Sequence, residues 1–282
     1  MCISRHGEYI GGDRLMKKSS VPFIRFCLLV GIFALSTPVF SQIITMPLPV
    51  PWPVFRNGQA DLRIAAAYHS LEQEMPQPPQ YDTRLRGGGL ELSGRYAFND
   101  LVGIDFGCMA AGQKGEQGPD NEFTKAVVSI PADLEFQVFS NEVFNLILFG
   151  GFNATPYYSR MDRLGYTYES YIILYGPQAG AQASLRLGDV MLAPYFTFHR
   201  LSGKRRYENE TSSGNDSGSE RVLARSFYYF GLNVIYVPAG VTFGASYQHV
   251  PEEDKRLEYH GIILSLGYTL RFDPGEDVNR TQ

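Results

Sequence analysis

Between Leu101 and Ala110 the chain alternates without a slip. Val102, Ile104, Phe106, Cys108 and Ala110 fall on one side, and Gly103, Asp105, Gly107 and Met109 on the other. Successive side chains of a strand point to opposite faces, so this stretch reads as a strand set between two different environments. The pattern recurs at intervals of about a dozen residues to the C-terminus, and one face stays free of charge. A sheet with its charges on one side and its apolar groups on the other needs two solvents. Lipid outside and a polar lumen inside supply them.

Strands are expected at 59–69, 88–98, 101–111, 123–139, 143–156, 170–187, 190–200, 223–237, 240–249 and 258–272, ten in all. No stretch after residue 58 holds a helical period. Tight turns with turn chemistry at Asn99-Asp100, Ser140-Asn141-Glu142, Gly188-Asp189 and Pro238-Ala239 alternate with longer polar segments around 70–87, 112–122, 157–169, 201–222 and 250–257. Short turns at one rim and long loops at the other predict an all-β, antiparallel up-and-down transmembrane barrel of ten strands, with eight as the rival count. An even count closes without an edge. A soluble barrel would carry its charges outward instead.

Ahead of the strands, Met16-Lys17-Lys18 opens a basic stretch, Phe26–Leu35 is apolar, and Val39-Phe40-Ser41 offers small residues at a cleavage site. That layout predicts a signal peptide over 1–41, cleaved after Ser41, with Met16 a better start than Met1. An apolar core this short falls well below the ~30 Å a membrane helix must cross. Pro47, Pro49, Pro51 and Pro53 make 42–58 an extended lead, and 273–282 forms a tail. Overall 44% of residues are hydrophobic. The whole chain has 25 Lys+Arg and 29 Asp+Glu; without 1–41 it has 20 and 27, a net of −7 that argues against nucleic acid as a partner. Cys108 alone then remains of the cysteines, so neither a disulfide framework nor a cysteine metal site is expected, and no cofactor is implied.

The end of the last strand, Gly267-Tyr268-Thr269-Leu270-Arg271-Phe272, has a glycine followed by alternating hydrophobics and a final aromatic. It resembles the C-terminal assembly signal of bacterial outer-membrane proteins, with Gly267, Tyr268, Leu270 and Phe272 in the signal positions. In those families the aromatic is usually the last residue, whereas here ten residues follow. Over 59–272 the pattern is similar to the OmpA-like small barrels. The resemblance implies a Gram-negative outer-membrane location with both termini in the periplasm. It also implies insertion by the barrel-assembly machinery and contact with outer-membrane lipid and lipopolysaccharide as a monomer. Its expected role is structural or surface-interactive, with a narrow diffusion pore as one alternative and an outer-membrane enzyme acting on lipid or peptide as another. Omptin proteases share the strand count, and resemblance to them would imply paired aspartates on one rim and a His–Asp pair on the other. No Asp-x-Asp pair lies near the loops here, and His199 is not two residues from a serine as in the membrane's deacylases. No catalytic residue is expected.

The inward parity carries Asp61, Glu91, Asp105, Asp133 and Glu135 against Arg63, Arg95, Arg186, Arg225 and Arg271. A buried charge without a partner is costly, so these are expected to pair. Asp61, Arg63, Arg95, Asp105, Asp133, Glu135, Arg186 and Arg271 form the expected lumen network, with arginine forks bridging carboxylates at the short-turn end. His69, Glu91, His199 and Arg225 form an expected outer-lumen cluster. Residues 201–222 read as a mobile, solvated loop carrying Lys204, Arg205 and Arg206.

Overall fold

The computed structural model describes residues 56–74, 83–117, 122–163, 166–211, 214–251 and 258–273. The segment 1–41 expected to be a signal peptide, most of the expected lead and all but the first residue of the expected tail lie outside those residues. Ten strands follow in order: β1 (Ala60–Glu74), β2 (Thr83–Ala97), β3 (Val102–Gln117), β4 (Glu122–Ser140), β5 (Phe144–Arg163), β6 (Tyr166–Leu187), β7 (Val190–Thr211), β8 (Gly214–Tyr236), β9 (Val241–Val250) and β10 (Glu258–Phe272). Each pairs antiparallel with its sequence neighbours, and β1 closes on β10 from Ala60↔Phe272 to Glu74↔Glu258. The closed ladder leaves no sheet edge, which is what a strand-built membrane span requires.

The two faces separate as the alternation predicts. Arg63 is 0% exposed, Glu91 1% and Arg95 2%, while Phe106 is 56% and Phe243 62% exposed. Charge is inside and large apolar groups are outside, the reverse of a water-soluble barrel. Aromatic pairs mark both margins of the outer apolar band. Tyr96 and Phe98 meet edge-on at 5.4 Å and Phe139 and Phe144 at 5.7 Å near the short turns, and Tyr158 and Tyr171 lie 4.9 Å apart near the other end. Between them Leu92, Ile130, Leu134, Phe152, Leu232 and Leu264 stand outward. Amphipathic rings at the two margins of an apolar belt fit the interfaces of a bilayer.

Side-chain chemistry closes the short turns where the sequence places them. Asn99 Oδ1 accepts the N–H groups of Leu101 and Val102, both at 2.8 Å, and Asn141 Oδ1 accepts those of Val143 (2.9 Å) and Phe144 (2.7 Å). These are Asx turns, in which a side chain stands in for a ladder acceptor. Gly240 follows a 3-10 turn at Val237–Ala239 with φ of 65°, and a Cβ there would lie 2.5 Å from the Thr269 carbonyl oxygen. Only glycine fits on both counts.

At the opposite end the strands run on beyond the expected limits. Segments 157–163 and 166–169 complete a β5–β6 hairpin, and 201–211 pairs with 214–222 as the outer half of β7–β8. The segment read as a mobile loop is therefore a paired hairpin. Backbone hydrogen bonds need no apolar alternation, so a polar ladder leaves little trace in hydropathy. Cross-strand contacts support it: Arg205 Nη1 lies 3.0 Å from Glu220 Oε1, and the Tyr168 and Tyr207 rings stack at 6.3 Å.

Candidate functional site

Charged, aromatic and apolar side chains converge in the interior of the barrel. It has three levels. At the short-turn end, Arg95 on β2 donates from Nε to Glu135 Oε2 at 2.5 Å and from Nη2 to Glu135 Oε1 at 2.9 Å, while Nη1 lies 3.9 Å from Asp61 Oδ2. The planar fork meets one carboxylate in two parallel bonds and faces a second. Asp61 accepts two bonds from Gln59 Nε2, at 3.1 and 2.9 Å, and Gln59 Oε1 accepts from Arg271 at 3.1 Å. Arg271 also pairs with Asp273 at 2.8 Å. Asp105 stands opposite Arg95 in the ladder and within its electrostatic reach.

One step further in, Arg63 Nη1 donates to Glu91 Oε1 at 2.7 Å, Ser93 Oγ donates to the same oxygen at 3.3 Å, and Arg63 Nη2 reaches Ser265 Oγ at 3.5 Å. Gly267, the first residue of the expected assembly signal, makes room for this. A Cβ on it would lie 3.0 Å from Arg63 Nε. In that signal Phe272 is exposed and pairs with Ala60 to close the barrel, while Tyr268 and Leu270 are half-buried on the outward parity. Asp133 accepts from Gln178 Nε2 at 2.5 Å instead of meeting an arginine. Arg186 is exposed at the rim, where its Nε donates to the Gly188 carbonyl at 3.2 Å. Its parity is inward, but it lies two residues from the turn, past the enclosed part of the lumen. So Arg95, Asp61, Glu135 and Arg271 come together, Glu91 joins this half by pairing with Arg63, and Arg186 stands apart.

The middle level is apolar, where the alternation predicts polar lining. Ala67, Met109, Ile172, Leu174, Leu201, Phe227, Tyr229, Val250 and Ile263 form one buried cluster. Both parities of β6 are apolar here (Ile172 and Leu174 inside, Tyr171 and Ile173 outside), so hydropathy gives no contrast between faces. His69 and His199 are buried near this level. None of their ring nitrogens has a hydrogen-bond partner among the described residues, and His199 meets the Tyr229 ring edge-on at 5.3 Å. Glu91 is engaged by Arg63, and the Arg225 guanidinium lies 5.2 Å over the Tyr259 ring. The four residues expected to form an outer-lumen cluster therefore do not make one site.

The third level, at the hairpin end, holds Lys125, which the sequence reading did not single out, beside Arg205, read there as a loop residue, and Arg225, read as part of the outer-lumen cluster. Lys125 on β4 is 1% exposed, and its Nζ lies 4.4 Å from the centroid of the Phe123 ring. Arg205 and Arg225 lie within electrostatic reach of the Tyr157 hydroxyl, and Arg205 within reach of Lys125. Tyr157 and Tyr259 pack down onto the apolar cluster. Lys125 shares the parity of Val127, Ser129 and Asp133, so the alternation alone marked it as inward. Arg205 was hidden by the reading of its segment as a loop.

No protein-family model matches the chain, and no curated protein matches it by sequence. Solved structures do. The outer-membrane protease OmpT from Escherichia coli is similar at 11% identity and a TM-score of 0.56, over 81% of this chain and 99% of that one. The translocator domain of the autotransporter NalP from Neisseria meningitidis is similar at 10% identity and a TM-score of 0.44, covering 75% of this chain and 88% of that one. The outer-membrane protein OprG from Pseudomonas aeruginosa follows at 12% identity and a TM-score of 0.39, covering 77% and 97%. At 11% identity the likeness to OmpT speaks to the fold alone: a closed β-barrel of the outer-membrane type.

Proposed function

We propose that this outer-membrane-type β-barrel is a closed-lumen protein that works through its hairpins at the cell surface. Both termini lie in the periplasm, and the β5–β6 and β7–β8 hairpins face outward. The barrel sits as a monomer in lipopolysaccharide-rich membrane after insertion by the assembly machinery. The observation that carries this reading is the pair of buried arginine bridges, Arg95 to Glu135 and Asp61 and Arg63 to Glu91, laid across the short-turn end. Charges on β1, β2 and β4 tie neighbouring and next-nearest walls together. Below the apolar level they leave paired groups where a pore would present solvated ones. The hairpins supply the other half of the argument. Arg160 with Asp162 and Glu169, and Lys114 with Glu122, present mixed charge beyond the aromatic margin. Such a surface suits contact with the phosphates and sugars of lipopolysaccharide or with a macromolecule outside the cell. The protease activity named for OmpT belongs to OmpT.

Entry of small sugars into proteoliposomes carrying the refolded chain tests the reading. Swelling no faster than in protein-free liposomes is expected. Swelling in proportion to protein content would replace the closed barrel with a diffusion pore.

A further inference from the structure

The outer face of β7 and β8 changes character over a short distance. Nearer the short turns it is aromatic: Phe196 meets Phe230 at 5.0 Å, and Phe198 meets Tyr228 at 5.3 Å. Arg200 ends the apolar run on β7, and its Nη1 donates to Ser226 Oγ on β8 at 2.6 Å. Lys204 and Arg206 follow on the same parity, and all three cations are exposed. Their ladder partners on β6 fix the direction in which they point. Lys204 stands opposite Ile173 and Arg206 opposite Tyr171, and both partners face outward. On the other side Arg221 of β8 stands opposite Lys204 and is exposed too. Two nearby acids are engaged elsewhere, Glu220 by Arg205 and Glu169 by Arg160. Two residues beyond Arg206 the same face turns acidic, with Glu208 opposite Glu169.

Rings, then cations, then acids follow one another away from the short turns. Acids outermost disfavour the approach of an anionic macromolecule from outside. Cations that begin beside the aromatic margin are placed instead for anions of the membrane itself. We infer that Lys204, Arg206 and Arg221, with Arg200 beneath them, form a lateral site for a phosphorylated, acylated saccharide of the outer leaflet, the lipid part of lipopolysaccharide. The cations hold its phosphates, where an arginine fork meets two oxygens, and Phe196, Phe198, Tyr228 and Phe230 lie against its acyl chains. This rests on the reading that the hairpins face the cell surface, and it deepens that reading by naming the lipid and the wall of the barrel that holds it. It is independent of whether the lumen conducts, because all four cations stand on the outer parity.

Native mass spectrometry of the refolded full chain in detergent, titrated with diphosphoryl lipid A, tests it. Phosphate-free lipid A of the same acylation and inorganic phosphate are the comparison probes. The parent is expected to retain diphosphoryl lipid A, to hold the phosphate-free lipid about tenfold more weakly, and to keep its lipid in millimolar inorganic phosphate. Lys204→Gln with Arg206→Gln is expected to weaken diphosphoryl lipid A about tenfold. Arg84→Gln with Arg86→Gln removes two exposed cations from β2 and is expected to leave binding unchanged. Unchanged binding in the β7 variant, equal loss in the β2 variant, equal retention of the phosphate-free lipid, or displacement by inorganic phosphate overturns the proposal. Should the β7 variant not refold, Arg221→Gln is expected to weaken the lipid severalfold, and unchanged binding there overturns it equally. An impermeant amine reagent on intact Gram-negative cells expressing the chain separates this site from the reading beneath it. Labelled Lys114 with no lipid A retained removes the site and keeps the hairpins outside, whereas unlabelled Lys114 removes both.

Discussion

The two ends of the lumen solve the same electrostatic problem in opposite ways. At the short-turn end Arg95 and Arg63 are enclosed with Glu135, Asp61 and Glu91, and every bridge is 3.9 Å or shorter. At the hairpin end Lys125 is equally enclosed, yet its neighbours are Phe123 and a second cation. Between them lies an apolar level that separates the two regions. The difference teaches that a charge inside a barrel is not by itself a sign of a pore. Paired charges tie walls together.

The sharpest way to break this comparison is to unbalance the paired end. Arg95→Ala leaves Glu135 and Asp61 enclosed without their cation and is expected to cost about 3–5 kcal/mol in guanidinium unfolding from micelles. Replacing Arg63 and Glu91 together by leucine is expected to cost less than Arg63→Leu alone, because no orphaned charge remains; the reverse order would remove the pairing argument. Leu174→Ala probes the separating level. It opens a cavity in a packed cluster, with an expected loss of about 2–5 kcal/mol in the same assay. Asn99→Ala removes the acceptor of two turn N–H groups, with an expected loss of about 1 kcal/mol. Lys114→Ala, at an exposed pair with Glu122, is expected to leave unfolding within error of the parent. The outer face has its own test. In a Cys2→Ser, Cys27→Ser background, Cys108 faces the apolar belt, so a lipid-soluble maleimide should label it in proteoliposomes and a charged one should not.

The fold was largely legible in the sequence, because the membrane imposes a strict period. Glu91, Ser93, Arg95 and Ala97 against Leu90, Leu92 and Tyr96 announce both faces of β2, and asparagine and glycine announce the turns. The hairpins were not legible, since above the lipid both faces of a strand meet water and the period disappears. The site was legible only in part. Parity places Arg95 and Glu135 inside, but which carboxylate an arginine meets depends on stagger between strands. Glu91 is therefore bonded to Arg63 and not to a histidine. The apolar level was invisible because Ile172 and Leu174 alternate with other apolar residues. Arg186 shows the limit of parity at a strand end, where an inward direction no longer means enclosure.

Single-channel recording of the refolded barrel beside Arg95→Ala in a planar bilayer tests the central claim, that bridged charges seal the short-turn end, most directly. The account predicts silence from the parent and intermittent current from the variant, whose carboxylates must draw in water and counter-ions once the bridge is gone. Stable conductance steps from the parent, unchanged in Arg95→Ala, would contradict it.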